Sequence, residues 1–370
     1  MDSMDKYRIF LSRLEYTGSY RIRKLLEYFG DEETIYKSSE DTLRRSGILT
    51  DKQMAAFTDC KKKYSPDELM ERVLRSEINY VVYEDDLYPK RLYSITNPPY
   101  ILYYYGRLPG DSTPQVAIIG SRGCSEYGRQ SAKYFGSGLA GRGVGIISGM
   151  AGGIDGIAQN AAVDNGGYSC AILGCGIDIC YPRSNEKLYH RLIDEGCVMS
   201  EYYPGTKPVA GHFPVRNRII SGLSDAVLVI EARERSGTLI TVDMALEQGR
   251  DVLAVPGRIS DALSYGCNRL ISEGATPAMT IDSVLECLGG TDAFRDASEE
   301  LIKRDVNNIL NKDELRIYEL IRDNTPVTDE IWNIIRDEDH IRSIEELNVL
   351  LFEMQLKDVI YAVGGRFYIK

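Results

Sequence analysis

A chain of 370 residues, 43% hydrophobic and 27% charged, has the makeup of a globular protein of two or three domains. It holds no run of about 18 apolar residues that would span a membrane. Met1-Asp2-Ser3-Met4-Asp5-Lys6 lacks the basic-then-apolar pattern of a leader, so a cytoplasmic location is expected. The net charge of −11 argues against a nucleic-acid partner only if it is evenly spread. It is not: Thr291–Glu346 carries 16 acidic and 8 basic side chains, whereas Val116–Gly153 sets four basic residues against Glu126 alone. Tyr203–Gly222 has Lys207, Arg216 and Arg218 and no acid.

In chain order, residues 1–110 read first as short helices. Tyr7–Leu11 and Ile22-x-x-Leu25-Leu26-x-x-Phe29 have helical spacing, punctuated by Gly18, Gly30 and Gly47. The pattern suggests an all-α domain of the helix-hairpin-helix or SAM-like kind, with a packing role. Residues 78–82 and 100–105 read as strands leading into the next domain, with a joint at Asp111-Ser112-Thr113-Pro114. Residues 111–290 alternate strand and helix. Apolar runs such as Val116–Ile119, Gly145–Ser148, Ser169–Leu173, Ala226–Ile230 and Val252–Val255 imply a parallel, doubly wound, Rossmann-like α/β sheet covered on both faces. A linker is expected at 291–310. Residues 311–370 then read as three helices and a hairpin turning at Gly364-Gly365, a winged-helix-like unit. Glu345, Glu346 and Glu353 on its third helix point to a protein contact rather than to duplex DNA.

The eight cysteines form no Cys-x-x-Cys pair, and the three histidines have no partner at ligand spacing, so no metal is expected. Neither is a cofactor. The first central strand runs into Gly120-Ser121-Arg122-Gly123, a Gly-rich turn before a helix that suits an anion. There is no Gly-x-Gly-x-x-Gly and no Walker loop, and the second strand ends in small residues, Gly149, Gly152 and Gly153, where a dinucleotide site needs an acid. Small residues there let another chain approach closely. Asp155 reads as a cap or loop acceptor. Arg183 and Asn185 follow the third strand. His212-Phe213-Pro214-Val215-Arg216-Asn217-Arg218 is the densest unopposed basic element, with an aromatic ring for a base to stack on. Arg216 and Arg218 lie about 200° apart on a helix, so one of them is expected to face the ligand. Ser236, Gly237 and Thr238 offer a cap or phosphate donors.

These motifs, in this order, resemble the DprA (Smf) family of DNA-processing proteins. The matching stretches are Gly120-Ser121-Arg122 with Tyr127-Gly128, Ser148–Asp155, Gly174-x-Gly176-Ile177-Asp178-x-x-Tyr181-Pro182, Phe213-Pro214-x-Arg216–Ser224, and Ser236–Thr241. The resemblance covers roughly 160 residues with little interruption. It implies a non-enzymatic homodimer that binds single-stranded DNA and loads the RecA recombinase, as in natural transformation, with single-strand-binding protein as a further partner. By position, Ser121, Arg122, Arg183, Arg216 and Arg218 would hold backbone phosphate, and Leu246, Leu270 and Ile271 would lie in the dimer or recombinase contact. Gln159 stands where the family usually has His. The competing expectation is a Rossmann-like nucleotide phosphoribohydrolase, whose Pro-Gly-Gly-x-Gly-Thr-x-x-Glu loop survives here only as Gly237-Thr238 and a distant Glu247.

Overall fold

The structure, a computed structural model, describes residues 4–289, 310–324, 326–336, 341, 343–357, 359–363 and 365–369. Residues 1–294 form one compact unit and 295–370 a second. The linker expected at 291–310 lies outside the described residues except for Leu310.

The first unit begins with helices α1 (Asp5–Ser12), α2 (Ser19–Phe29), α3 (Glu32–Lys37), α4 (Glu40–Arg45), α5 (Asp51–Lys63) and α6 (Pro66–Arg75). Local chemistry sets their limits. Asp31 accepts from the Thr34 N–H at the start of α3, and Thr50/Gln53 and Ser65/Glu68 close reciprocal capping boxes on α5 and α6. Gly30 ends α2 with φ +92°, in the region that glycine enters without a Cβ penalty.

Strands β1 (Asn79–Val82), β2 (Ile101–Gly106) and β3 (Gln115–Ile119) follow, then α7 (Glu126–Ala140), β4 (Gly145–Ser148), α8 (Ile154–Asp164), β5 (Ser169–Ile172), α9 (Glu186–Glu195) and β6 (Cys197–Ser200). The unit continues with α10 (His212–Gly222), β7 (Ala226–Val229), α11 (Gly237–Glu247), β8 (Asp251–Ala254), α12 (Tyr265–Ser272), β9 (Thr276–Pro277) and α13 (Ile281–Cys287). One nine-stranded sheet results, ordered β1-β2-β6-β5-β4-β3-β7-β8-β9. It is parallel from β6 to β9, while β1, β2 and β6 pair antiparallel.

Alternate residues of the parallel strands serve two cores. Val116, Ile118 and Ile146 pack with Phe135 and Leu139 of α7 and Ala158 of α8, whereas Ala117, Ile119 and Ile147 pack with Ile219 of α10, Val242 of α11 and Cys267 of α12. Both faces are therefore buried, which is why these strands read as unbroken apolar runs. The joint expected at 111–114 connects β2 to β3, two strands of this one sheet. The N-terminal helices share a core with it as well: Ile9, Phe10 and Leu25 lie in one apolar cluster with Tyr103, Ala171 and Val198. The Tyr103 hydroxyl also meets that of Ser12 at 2.6 Å.

The second unit has helices Lys312–Asn324, Thr328–Ile335 and Ile344–Leu356 and the antiparallel hairpin Ile360–Val363 with Arg366–Ile369. Ile317, Ile331, Leu347, Leu351 and Phe367 form its core. Gly365 takes φ +80° in the hairpin turn; Gly364 is outside the described residues.

Candidate functional site

The chain runs from β3 outward through β4, β5 and β6 on one side, then returns to lay β7 against the other side of β3. Where the direction reverses, the loops after β3 and β7 diverge and leave a crevice beyond the carboxyl ends of the strands. A cleft of about 590 Å³ occupies that position. Its walls come from the Gly120–Arg122 turn, the first turns of α10 and α11, and the loop after β7. Four arginines line it, Arg122, Arg216, Arg233 and Arg235, against one acid, Asp155.

The turn after β3 is held rigidly from behind. The Ser121 N–H donates to the Glu231 carbonyl at 2.9 Å, and the Ile154 N–H donates to the Ser121 carbonyl at 3.2 Å. The Ser121 amide is thus committed within the protein, which leaves the exposed Arg122 side chain as the turn's principal group for an anion. A Cβ on Gly153 would fall 2.3 Å from the Ser121 carbonyl oxygen, and this residue has φ +77°. Glycine is required there by both space and backbone. Buried Glu231 fastens the other end: its carboxylate accepts from the Ser125 N–H at 2.9 Å and from the Ser125 hydroxyl, and it fills the space a Cβ on Gly128 would need. That contact explains the glycine of Tyr127-Gly128.

The small residues after β4 were expected to admit a ligand, and the structure shows most of them admitting this chain's own groups. A Cβ on Gly149 would meet the Arg216 guanidinium at 2.5 Å, and Gly153 receives the Ser121-Arg122 backbone. Gly152 alone of the three has open space around it. Gly152 and Gly153 line a second, smaller cleft of about 310 Å³ with Arg122, Arg129, Ser184 and Asn185, so Arg122 stands on the ridge between two clefts. The Asn185 amide donates to the carbonyls of Met150 and Ala151 at 3.0 and 3.1 Å, bracing this loop, while Arg183 is exposed.

On α10, Arg216 lines the cleft and Arg218 does not, and both are buried, at 4% and 7% exposure. Arg216 donates to the carbonyls of Gly149 (3.1 Å) and Ile172, closing the ends of β4 and β5, and it lies beside buried Asp155. Burial pushes the Arg216 guanidinium down to about 10, with Asp155 opposing the shift. Burial also raises the Asp155 carboxyl, partly offset by Arg216 and by hydrogen bonds that include the Gly149 N–H. Arg218 makes a bidentate pair with Glu201 at 2.6 and 2.7 Å and donates to the Asn97 carbonyl. Burial alone would depress it, and Glu201 more than compensates. Phe213 and Asn217 are half-buried in the cleft wall, and the Arg122 guanidinium stands 5.7 Å from the Phe213 ring centre.

Ser236 acts as the cap of α11, accepting from the Thr238 N–H at 3.2 Å, with Gly237 and Thr238 beside it in the cleft. Glu247 lies at the opposite end of α11, about 15 Å along the axis, so the Gly-Thr and Glu of a phosphoribohydrolase loop are not brought together. Gln159 is fully buried, accepting from the Met150 N–H and donating to Ser169, and lines neither of these two clefts. Of the expected contact residues, Leu246 is 60% exposed, whereas Leu270 (9%) belongs to the core under α12 and Ile271 packs against that core. Arg233 and Arg235 line the cleft without having been singled out from the sequence, and Tyr181, quoted there only as part of a motif, lines it too. Glu231 and Glu234 mask the two arginines in a linear charge count, whereas in the fold Glu231 is buried and engaged with Ser125.

Residues 79–289 match the family described as DNA recombination-mediator protein A. The chain is 48% identical to the DNA processing protein DprA of Streptococcus pneumoniae over 191 residues, 52% of this chain and 67% of that protein. The crystal structure of that protein aligns with TM-score 0.66 at 38% identity, covering 76% of this chain and 97% of the other. DNA processing protein A of Helicobacter pylori, whose structure describes a single-stranded DNA binding mode, aligns with TM-score 0.52 at 30% identity, covering 57% and 95%.

Proposed function

The chain belongs to the DNA recombination-mediator protein A (DprA/Smf) family, and on that premise we propose that it grips single-stranded DNA along the carboxyl edge of its sheet, without chemistry on the strand. One observation carries the reading. In a protein of net charge −11, the crevice beside β3 and β7 is lined by four arginines and one acid, and that acid is buried. Such a local field attracts phosphate whatever the total charge.

Arg122, Arg233 and Arg235, exposed at the rim, are the phosphate contacts in this reading, with Arg183 and the open backbone at Gly152 extending the track past the Arg122 ridge. Ser121, Asn217 and Thr238 contribute polar side chains, and Phe213 an aromatic face. Gly149, Gly153, Asn185, Arg216 and Ser236 hold the loops in place, and Arg218 ties α10 to Glu201. The sheet is Rossmann-like in this view, the N-terminal helices are SAM-like or helix-hairpin-helix-like, and the C-terminal unit is winged-helix-like. Handing the strand to RecA, association as a homodimer through exposed Leu246, and contact with single-strand-binding protein complete the proposal. The test is competition between an unstructured oligonucleotide and a duplex of equal length. Preference for the single strand supports the reading, and equal binding or none removes it.

A further inference from the structure

The helix Ile344–Leu356 of the second unit carries two apolar stripes. Leu347, Leu351 and Met354 face that unit's core and are buried. Val349, Phe352 and Leu356 repeat the three-and-four spacing on the far side, at 56, 60 and 71% exposure. Apolar residues scattered singly over a surface need no partner, but three stacked along one helix face form a continuous strip. The charges around the strip disfavour a phosphate backbone. Exposed Glu345 stands in line with it, one turn before Val349, and exposed Glu353 borders it. Lys357, the cation at the helix end, is held internally by buried Glu314 at 2.6 and 2.7 Å.

We infer that this face docks an amphipathic helix of a partner protein, one whose apolar stripe is edged by Lys or Arg. In heptad terms Val349 and Leu356 stand at a, Phe352 and Glu345 at d, and Glu353 at e, the position that meets charge on a facing helix. A cation on the partner pairs with Glu353, and another closes the strip at Glu345. A second copy of this helix is a poor occupant. Laid parallel, it would set Glu345 against Glu345. Laid antiparallel about Phe352, it would bring the two Glu353 side chains together, and like charges oppose association. The inference is independent of the single-strand reading, since no residue of the cleft takes part.

Binding of the full chain is measured by fluorescence anisotropy to a labelled helical peptide of about three heptads, with Leu at a and d and Lys at the flanking positions, and to its twin with Glu in place of Lys. Wild type is expected to bind the Lys peptide and not the Glu twin. Phe352→Ala weakens the Lys peptide roughly ten-fold, the scale of one truncated anchor side chain. Glu345→Lys/Glu353→Lys exchanges the preference, taking the Glu twin and rejecting the Lys peptide. The chain stays net acidic after both reversals, so a Lys peptide drawn by overall charge alone would still bind this variant. No binding by wild type, equal binding of the two peptides, or Lys-peptide binding untouched by either variant would each overturn the proposal. Phe352→Asp should sediment with the wild-type mass. A lower mass would mean that a second copy covers the strip, and a fall in oligonucleotide affinity in Phe352→Ala would assign the face to DNA; either result also overturns it.

Discussion

The turn at Gly120–Arg122 and the helix at His212–Gly222 bring arginine to the same cleft and use it in opposite ways. Arg122 is exposed on a turn whose Ser121 N–H and carbonyl are both hydrogen-bonded within the protein, so its charge is available. Arg216 and Arg218 are buried, one across the carbonyl ends of β4 and β5 and the other against Glu201. A buried guanidinium still contributes to the field, but moving Arg216 toward a ligand would take the donor from the Gly149 and Ile172 carbonyls, and moving Arg218 would leave Glu201 without its cation. The difference separates charge that binds from charge that builds the surface on which binding occurs.

If Arg216 is a structural cation, removing its counter-ion acts on stability first. Asp155→Ala, which takes the acceptor from the Gly149 N–H and the buried carboxyl from beside Arg216, should lower unfolding free energy by about 1–3 kcal/mol, the scale of a buried donor left unsatisfied, as measured by urea denaturation. An unchanged midpoint would mean that this carboxyl does not hold the loop after β4. Gly153→Ala comes next. With φ +77° and the Ser121 carbonyl 2.3 Å from the new Cβ, it should cost roughly 1–3 kcal/mol and displace the Arg122 turn. Oligonucleotide affinity would fall although no charge is lost. Wild-type affinity in this variant would show that the turn's position does not matter.

The sheet was legible because buried parallel strands need unbroken apolar runs, and Val116–Ile119 or Ala226–Val229 allow little else. The placement of β1 and β2 was not, since β2 pairs with β6 nearly a hundred residues later and no local pattern carries that pairing. The glycines of the site were visible, but their purpose was not: Gly149 and Gly153 make room for this chain's own Arg216 and Ser121. Nor could spacing tell Leu246 from Leu270. Both sit in apolar helical stretches, and only the packing of α12 on the core hides the second. Arg233 and Arg235 were obscured because a linear charge count includes Glu231, which folding removes from the surface.

The smallest stability effect and the clearest functional one meet in Arg122→Ala. Its unfolding midpoint should stay within about 0.5 kcal/mol of wild type, as for an exposed side chain outside the core. The central measurement is the slope of log affinity for an unstructured oligonucleotide against log salt concentration, for wild type and this variant. The account predicts weaker binding and a slope shallower by about one phosphate contact, near 0.7 for single strands. An unchanged slope with unchanged affinity would contradict it, and would mean that the exposed arginine of the β3 turn is not where the strand is held.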